Sequence, residues 1–111
     1  MIPTKIKFTF TQTELLNLSV ILRMVLTENM PEVVDKSARA MYLITQTSLK
    51  KLYTRIRIKI EDGPLTGNVK FSFKQAEFLA FYVIFISQET NPNQSLKMLI
   101  NKILTATDKT L

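Results

Sequence analysis

The stretch IKFTFTQTELLNLSVIL at positions 6–22 returns as VKFSFKQAEFLAFYVIF at positions 69–85. At a constant offset of 63, eight of the 17 positions are identical: Lys7/Lys70, Phe8/Phe71, Phe10/Phe73, Gln12/Gln75, Glu14/Glu77, Leu16/Leu79, Val20/Val83 and Ile21/Ile84. A weaker echo, Ser48-Leu49-Lys50 against Ser95-Leu96-Lys97, follows each copy. The chain is therefore read as one structural unit used twice.

Each copy opens with alternation: Ile6, Phe8 and Phe10 in one, Val69, Phe71 and Phe73 in the other. Period two is the mark of a strand with one face buried. Helical spacing follows at once. Thr11-Gln12-Thr13-Glu14 fits a capping box, whereas the second copy has Lys74 at the capping position and keeps only the acid, Glu77. The first helix is predicted over residues 12–28 and its counterpart over 75–88. Leu15, Leu18, Leu22 and Val25 form the buried stripe of the first.

Outward from the repeats the signals are mixed. Pro31 with Glu32 suits the first turn of a second helix reaching about Tyr53, which the weak formers Thr45-Gln46-Thr47-Ser48 threaten to interrupt. Arg55-Ile56-Arg57-Ile58-Lys59-Ile60 alternates cleanly and is read as a further strand. Gly63-Pro64-Leu65-Thr66-Gly67 holds both glycines and forms the turn into the second repeat. Asn91-Pro92-Asn93 opens a last helix, with Leu96, Leu99, Ile100 and Ile103 buried. The predicted fold is α+β in β-α-α-β-β-α-α order. It has a three-stranded antiparallel or mixed sheet with helices packed on one face. Residues 1–111 make one domain, with repeat units at 4–54 and 67–107 joined by a hairpin strand at 55–62.

The chain has 111 residues, no cysteine and no histidine. That removes thiol nucleophiles, thiolate metal sites and the usual neutral-pH acid/base. Three motifs that touch on chemistry are set aside. Ser48-Leu49-Lys50-Lys51 matches S-x-x-K without its companion motifs. Glu28, Glu32 and Asp35 resemble helix-dipole complementation more than a cation site. The glycine turn lacks the Gly-Lys-Ser/Thr ending of a phosphate loop. No enzyme, cofactor, metal or small-molecule substrate is expected. The longest apolar run, residues 78–86 from Phe78 through Ile86, is too short to span a membrane. With no leader-like N-terminus, the expected compartment is the cytoplasm.

Charge supplies the functional signal. The net charge is +6, from 15 lysines and arginines against nine acids. In the three-stranded reading Lys5, Lys7, Arg55, Arg57, Lys59 and Lys70 share one sheet face with Glu61 at its rim, and the nine other cations balance the nine acids. Such a face suits a polyanion, with duplex DNA the favoured partner because no aromatic lies on it for stacking. The paired phenylalanines resemble the aromatic strands of RNA-recognition modules in chemistry only, and they are read as core. The competing expectation is a homodimeric interaction or scaffold domain. Both readings expect a homodimer through the apolar run from Phe78 to Ile86; in the competing one the basic face is merely solvated, and the salt dependence of polyanion binding separates the two.

Overall fold

The computed structural model describes residues 2–27, 35–63, 67–86 and 94–111. Strand β1 (Lys5–Thr11) runs into α1 (Gln12–Thr27), followed by α2 (Lys36–Asp62). Strand β2 (Asn68–Lys74) then runs into α3 (Gln75–Phe85), followed by α4 (Gln94–Thr110). Among the described residues the fold is a helix-rich α+β arrangement of four helices and a two-stranded antiparallel sheet.

The expected third strand is overturned: residues 55–60 continue α2 without a break. Ile56 is fully buried and Ile60 half-buried, while Ile58 is 53% exposed. A strand would have put all three on one face. Leu49, Leu52, Ile56 and Ile60 instead make one helical stripe, so packing along that stripe overrides the local alternation. The threonines expected to weaken the helix are accommodated, with Thr45 and Thr47 donating their hydroxyls to the carbonyls of Met41 and Leu43. Asp35 caps the start of α2, accepting from the Ala38 amide at 2.7 Å. The end falls at Gly63, where a Cβ would sit 2.6 Å from the Lys59 carbonyl oxygen. The expected helix start at Pro31, the residues Glu28 and Glu32, the inner part of the glycine turn and the Asn91-Pro92-Asn93 start lie outside the described residues.

The two repeated strands pair with each other. Register places Lys5 opposite Lys74, Lys7 opposite Ser72, Phe8 opposite Phe71 and Thr9 opposite Lys70. Because Phe8 and Phe71 are equivalent in the repeat, an approximate two-fold axis passes through their rung. The symmetry extends into the helices. At an offset of 47 the weak echo runs on along α2 and α4, matching Leu49/Leu96, Leu52/Leu99 and Ile56/Ile103, all buried. The units interlock: α2 packs on α1 and on α3, and α4 packs on α3 and back on α1.

One face of the ribbon is core. Phe10, Phe73, Phe78 and Phe81 are fully buried, and Phe73 meets Phe8 and Phe81 edge-on. Each such side chain stabilises the fold by about 1.5–3 kcal/mol. In the run from Phe78 to Ile86, expected either to stack in a second helical layer or to meet a second chain, Phe78, Ala80, Phe81 and Phe85 are buried within the chain, while Val83 and Ile86 are exposed. At the far end of α3 the Tyr82 hydroxyl donates to Asp108 of α4. Partial desolvation, and then the Asp108 carboxylate, raise the Tyr82 phenol above its usual value.

Candidate nucleic-acid interface

Alternation that buries the phenylalanines turns the intervening residues outward. Lys5, Lys7, Thr9 and Thr11 of β1, with Asn68, Lys70, Ser72 and Lys74 of β2, form the outer face of the ribbon. Four are lysines, three carry hydroxyls, one is an amide and none is acidic. Around the two-fold axis Lys7, Thr9, Lys70 and Ser72 rim a shallow depression of about 390 Å³, floored where Phe8 and Phe71 turn inward. At one end of the ribbon Lys5 and Lys74 sit directly opposite each other. Facing like charges cost a few tenths of a kcal/mol. Among the described residues none of these lysines has an acidic partner.

The structure divides the six cations expected on one face. Lys5, Lys7 and Lys70 do lie together on the outer ribbon. Arg55, Arg57 and Lys59 do not, because they belong to α2. Arg57 and Lys59 are exposed on that helix. Lys59 lines a groove between α2 and the β2 edge with Arg55, Ile58, Asp62, Lys70 and Ser72. Lys74 joins Lys5, Lys7 and Lys70 on the ribbon, although the capping pattern alone marks it only as a departure from the box. The alternation Lys70, Ser72, Lys74 carried the signal that places it on the basic face.

Arg55 is a structural clasp. Its guanidinium pairs with Glu77 in the first turn of α3, donates to the Ser72 carbonyl at 2.9 Å and lies 4.9 Å from the centre of the Phe71 ring. The Glu77 carboxylate also accepts from the Lys74 amide at 2.8 Å, so half of the capping box survives in the second repeat. Lys102 occupies the equivalent place in α4. It donates to the Thr9 carbonyl at 2.9 Å, approaches Glu14 at 3.5 Å and lies 4.9 Å from the Phe10 ring centre. Glu14 and Thr11 complete the full capping box expected of the first repeat. Ser72 and Thr9 are themselves related by the repeat, so each clasp ties one unit's long helix to the other unit's strand.

Chemically, the outer ribbon offers ammonium groups and hydroxyls on a flat two-stranded support, suited to phosphate oxygens and to base edges. Among the described residues no cluster of three metal-ligating side chains occurs, and no helix is long and apolar enough to cross a membrane. No protein-family model, no curated protein and no solved structure matches this chain.

Proposed function

We propose that this protein is a non-enzymatic nucleic-acid-binding protein of the cytoplasm that lays its basic two-stranded ribbon along the major groove of duplex DNA. The observation that carries the reading is the outer face of the ribbon: four lysines, no acid, and a Lys5–Lys74 rung that costs stability in isolation. An array of phosphates turns that cost into a gain through counterion release. Size agrees. Seven residues per strand span about 23 Å, and a two-stranded ribbon fits a groove about 12 Å wide. The deep, narrow major groove of duplex RNA does not admit one, and the ribbon's aromatics all face the core, which disfavours stacking on single strands. Architecture adds an analogy: β-ribbon readers enter the groove with paired strands backed by helices.

Fluorescence anisotropy on labelled duplex DNA, single-stranded DNA and duplex RNA across a salt series tests this. Duplex DNA is expected to bind best, with log K falling by roughly 3–4 per decade of salt for about four phosphate contacts. Lys7→Gln together with Lys70→Gln should make that slope shallower by about 2. Salt-independent binding, or none, overturns the reading.

A second reading, a homodimeric interaction domain with a solvated ribbon, draws on Leu16, Val20 and Met24, an exposed apolar stripe along α1. Light scattering showing a stable dimer in the absence of any duplex binding would favour it.

A further inference from the structure

The two-fold axis relates not only the clasps but the hollows beside them. One hollow, about 410 Å³, is lined by Ser48, Lys51, Thr54 and Arg55 of α2, by Lys74 of β2, and by Ala76 and Glu77 in the first turn of α3. Its twin, also about 410 Å³, is lined by Ser95, Met98, Leu99 and Lys102 of α4 and by Thr13, Glu14 and Asn17 of α1. Position by position the walls correspond: Ser48 to Ser95, Arg55 to Lys102, Ala76 to Thr13 and Glu77 to Glu14. The difference lies in the free cations. Lys51 faces the first hollow where the second has Met98, and Lys74 lines the first while its repeat equivalent, Thr11, does not line the second.

In the first hollow three cations face one carboxylate, and that carboxylate is already held by Arg55 and by the Lys74 amide. In the second, one cation faces one carboxylate. The first is therefore cationic and hydroxyl-lined, the second near neutral with an exposed thioether on its wall. Lys74 also stands on the outer ribbon face, at the doubly charged Lys5–Lys74 rung, so the cationic hollow continues the basic face around the β2 edge. The Ser48–Lys51 spacing, one turn of α2, puts a hydroxyl and an ammonium on the same wall.

We infer that the hollow formed by Ser48, Lys51, Thr54 and Lys74 is a backbone-phosphate site for duplex DNA, and that its twin at Met98 leaves the other strand without the matching hold. The inference rests on the proposed ribbon reading. A groove-bound duplex presents its two phosphate backbones to the two flanks of the ribbon. Lys51 and Lys74 neutralise one, with the Ser48 hydroxyl as a further donor; the Thr54 hydroxyl on the same wall donates to the Lys50 carbonyl and serves as an acceptor-side neighbour only. Beyond the ribbon lysines, the other backbone finds at the twin hollow only the Lys102–Glu14 pair, whose charges cancel. The protein thus grips a nearly symmetric ligand with unequal hands.

The twin supplies its own control. Lys51→Met writes the apolar hollow into the cationic one, and Met98→Lys does the reverse. Both positions are exposed, so the fold tolerates either change, and matching denaturation curves verify that. Salt-dependent anisotropy is measured on one mixed-sequence duplex for the wild type, both variants and Lys7→Gln. Lys51→Met is expected to bind more weakly with a slope shallower by about 1, and Met98→Lys to steepen it by about 1. An unchanged slope in Lys51→Met, beside a shallower one in Lys7→Gln, overturns this site and leaves the ribbon reading standing. An unchanged slope in Met98→Lys shows that the twin lies off the duplex, which overturns the unequal grip. Absence of duplex binding by the wild type removes both readings together.

Discussion

Arg55 with Glu77 and Lys102 with Glu14 are the same device built twice. In each, a cation on a long helix bridges the first-turn acid of the other unit's helix and a carbonyl on the preceding strand. They differ in burial and in chemistry. The Glu77 side chain is 4% exposed and receives a guanidinium able to bond its acid and its carbonyl at once. The Glu14 side chain is 32% exposed and meets an ammonium that is itself 41% exposed. A planar fork holds two acceptors in fixed geometry, whereas an ammonium acts as a mobile point charge. The comparison teaches that approximate symmetry fixes where a contact falls, while burial fixes how much it matters.

The largest expected consequence is unequal damage on removing the acids. Glu77→Ala leaves the Arg55 guanidinium, still held by the Ser72 carbonyl and a third exposed, without its carboxylate, together with an uncapped Lys74 amide, and should cost roughly 2–4 kcal/mol. Glu14→Ala removes an exposed pair and half of a capping box, and should cost roughly 1 kcal/mol. Urea denaturation of the two variants reads this directly, as a several-fold larger fall in unfolding free energy for the Glu77 variant. Equal losses would break the comparison and show that the two junctions are energetically alike.

Comparable in size is a test of the equivalence itself. Ile56 and Ile103 are both fully buried at matching points of α2 and α4, while Ile58 is more than half exposed. Ile56→Ala and Ile103→Ala should each cost about 2–4 kcal/mol, and Ile58→Ala less than about 0.5 kcal/mol. Comparable losses at Ile56 and Ile58 would restore the strand that the alternating residues suggested.

That strand marks where the sequence was legible and where it was not. β1, β2 and the three helices α1, α3 and α4 all follow from strong local patterns, and the repeat tied them into two units. Residues 55–60 misled because isoleucines at 56, 58 and 60 satisfy period two, while only 56 and 60 extend the helical stripe from Leu49 and Leu52. Ile58, exposed on α2, is the one residue that makes the difference. Moving the segment from sheet to helix withdrew Arg55, Arg57 and Lys59 from the basic face but left Lys5, Lys7 and Lys70 on it. The clasps were hidden for another reason. Arg55 and Glu77 lie 22 residues apart, and no short-range pattern links them. Their signal was the echo beginning at Ser48 and Ser95, which, followed one turn further, aligns Arg55 with Lys102.

The smallest expected effect sharpens the comparison through its dependence on salt. Lys102→Gln keeps a donor for the Thr9 carbonyl while deleting the charge that faces Glu14. With both partners partly in water, that charge is worth a few tenths of a kcal/mol at low ionic strength. At about 1 M salt the screening length shrinks to roughly 3 Å, less than the 3.5 Å separation of the pair, so most of the penalty should be screened away. The Arg55–Glu77 junction is shielded by its own burial, and the deficit of Glu77→Ala should persist across the same series. Denaturation in low and high salt separates the two. A Lys102→Gln deficit that survives high salt would mean that packing of the lysine stem over Phe10, rather than charge, holds α4 to the first repeat.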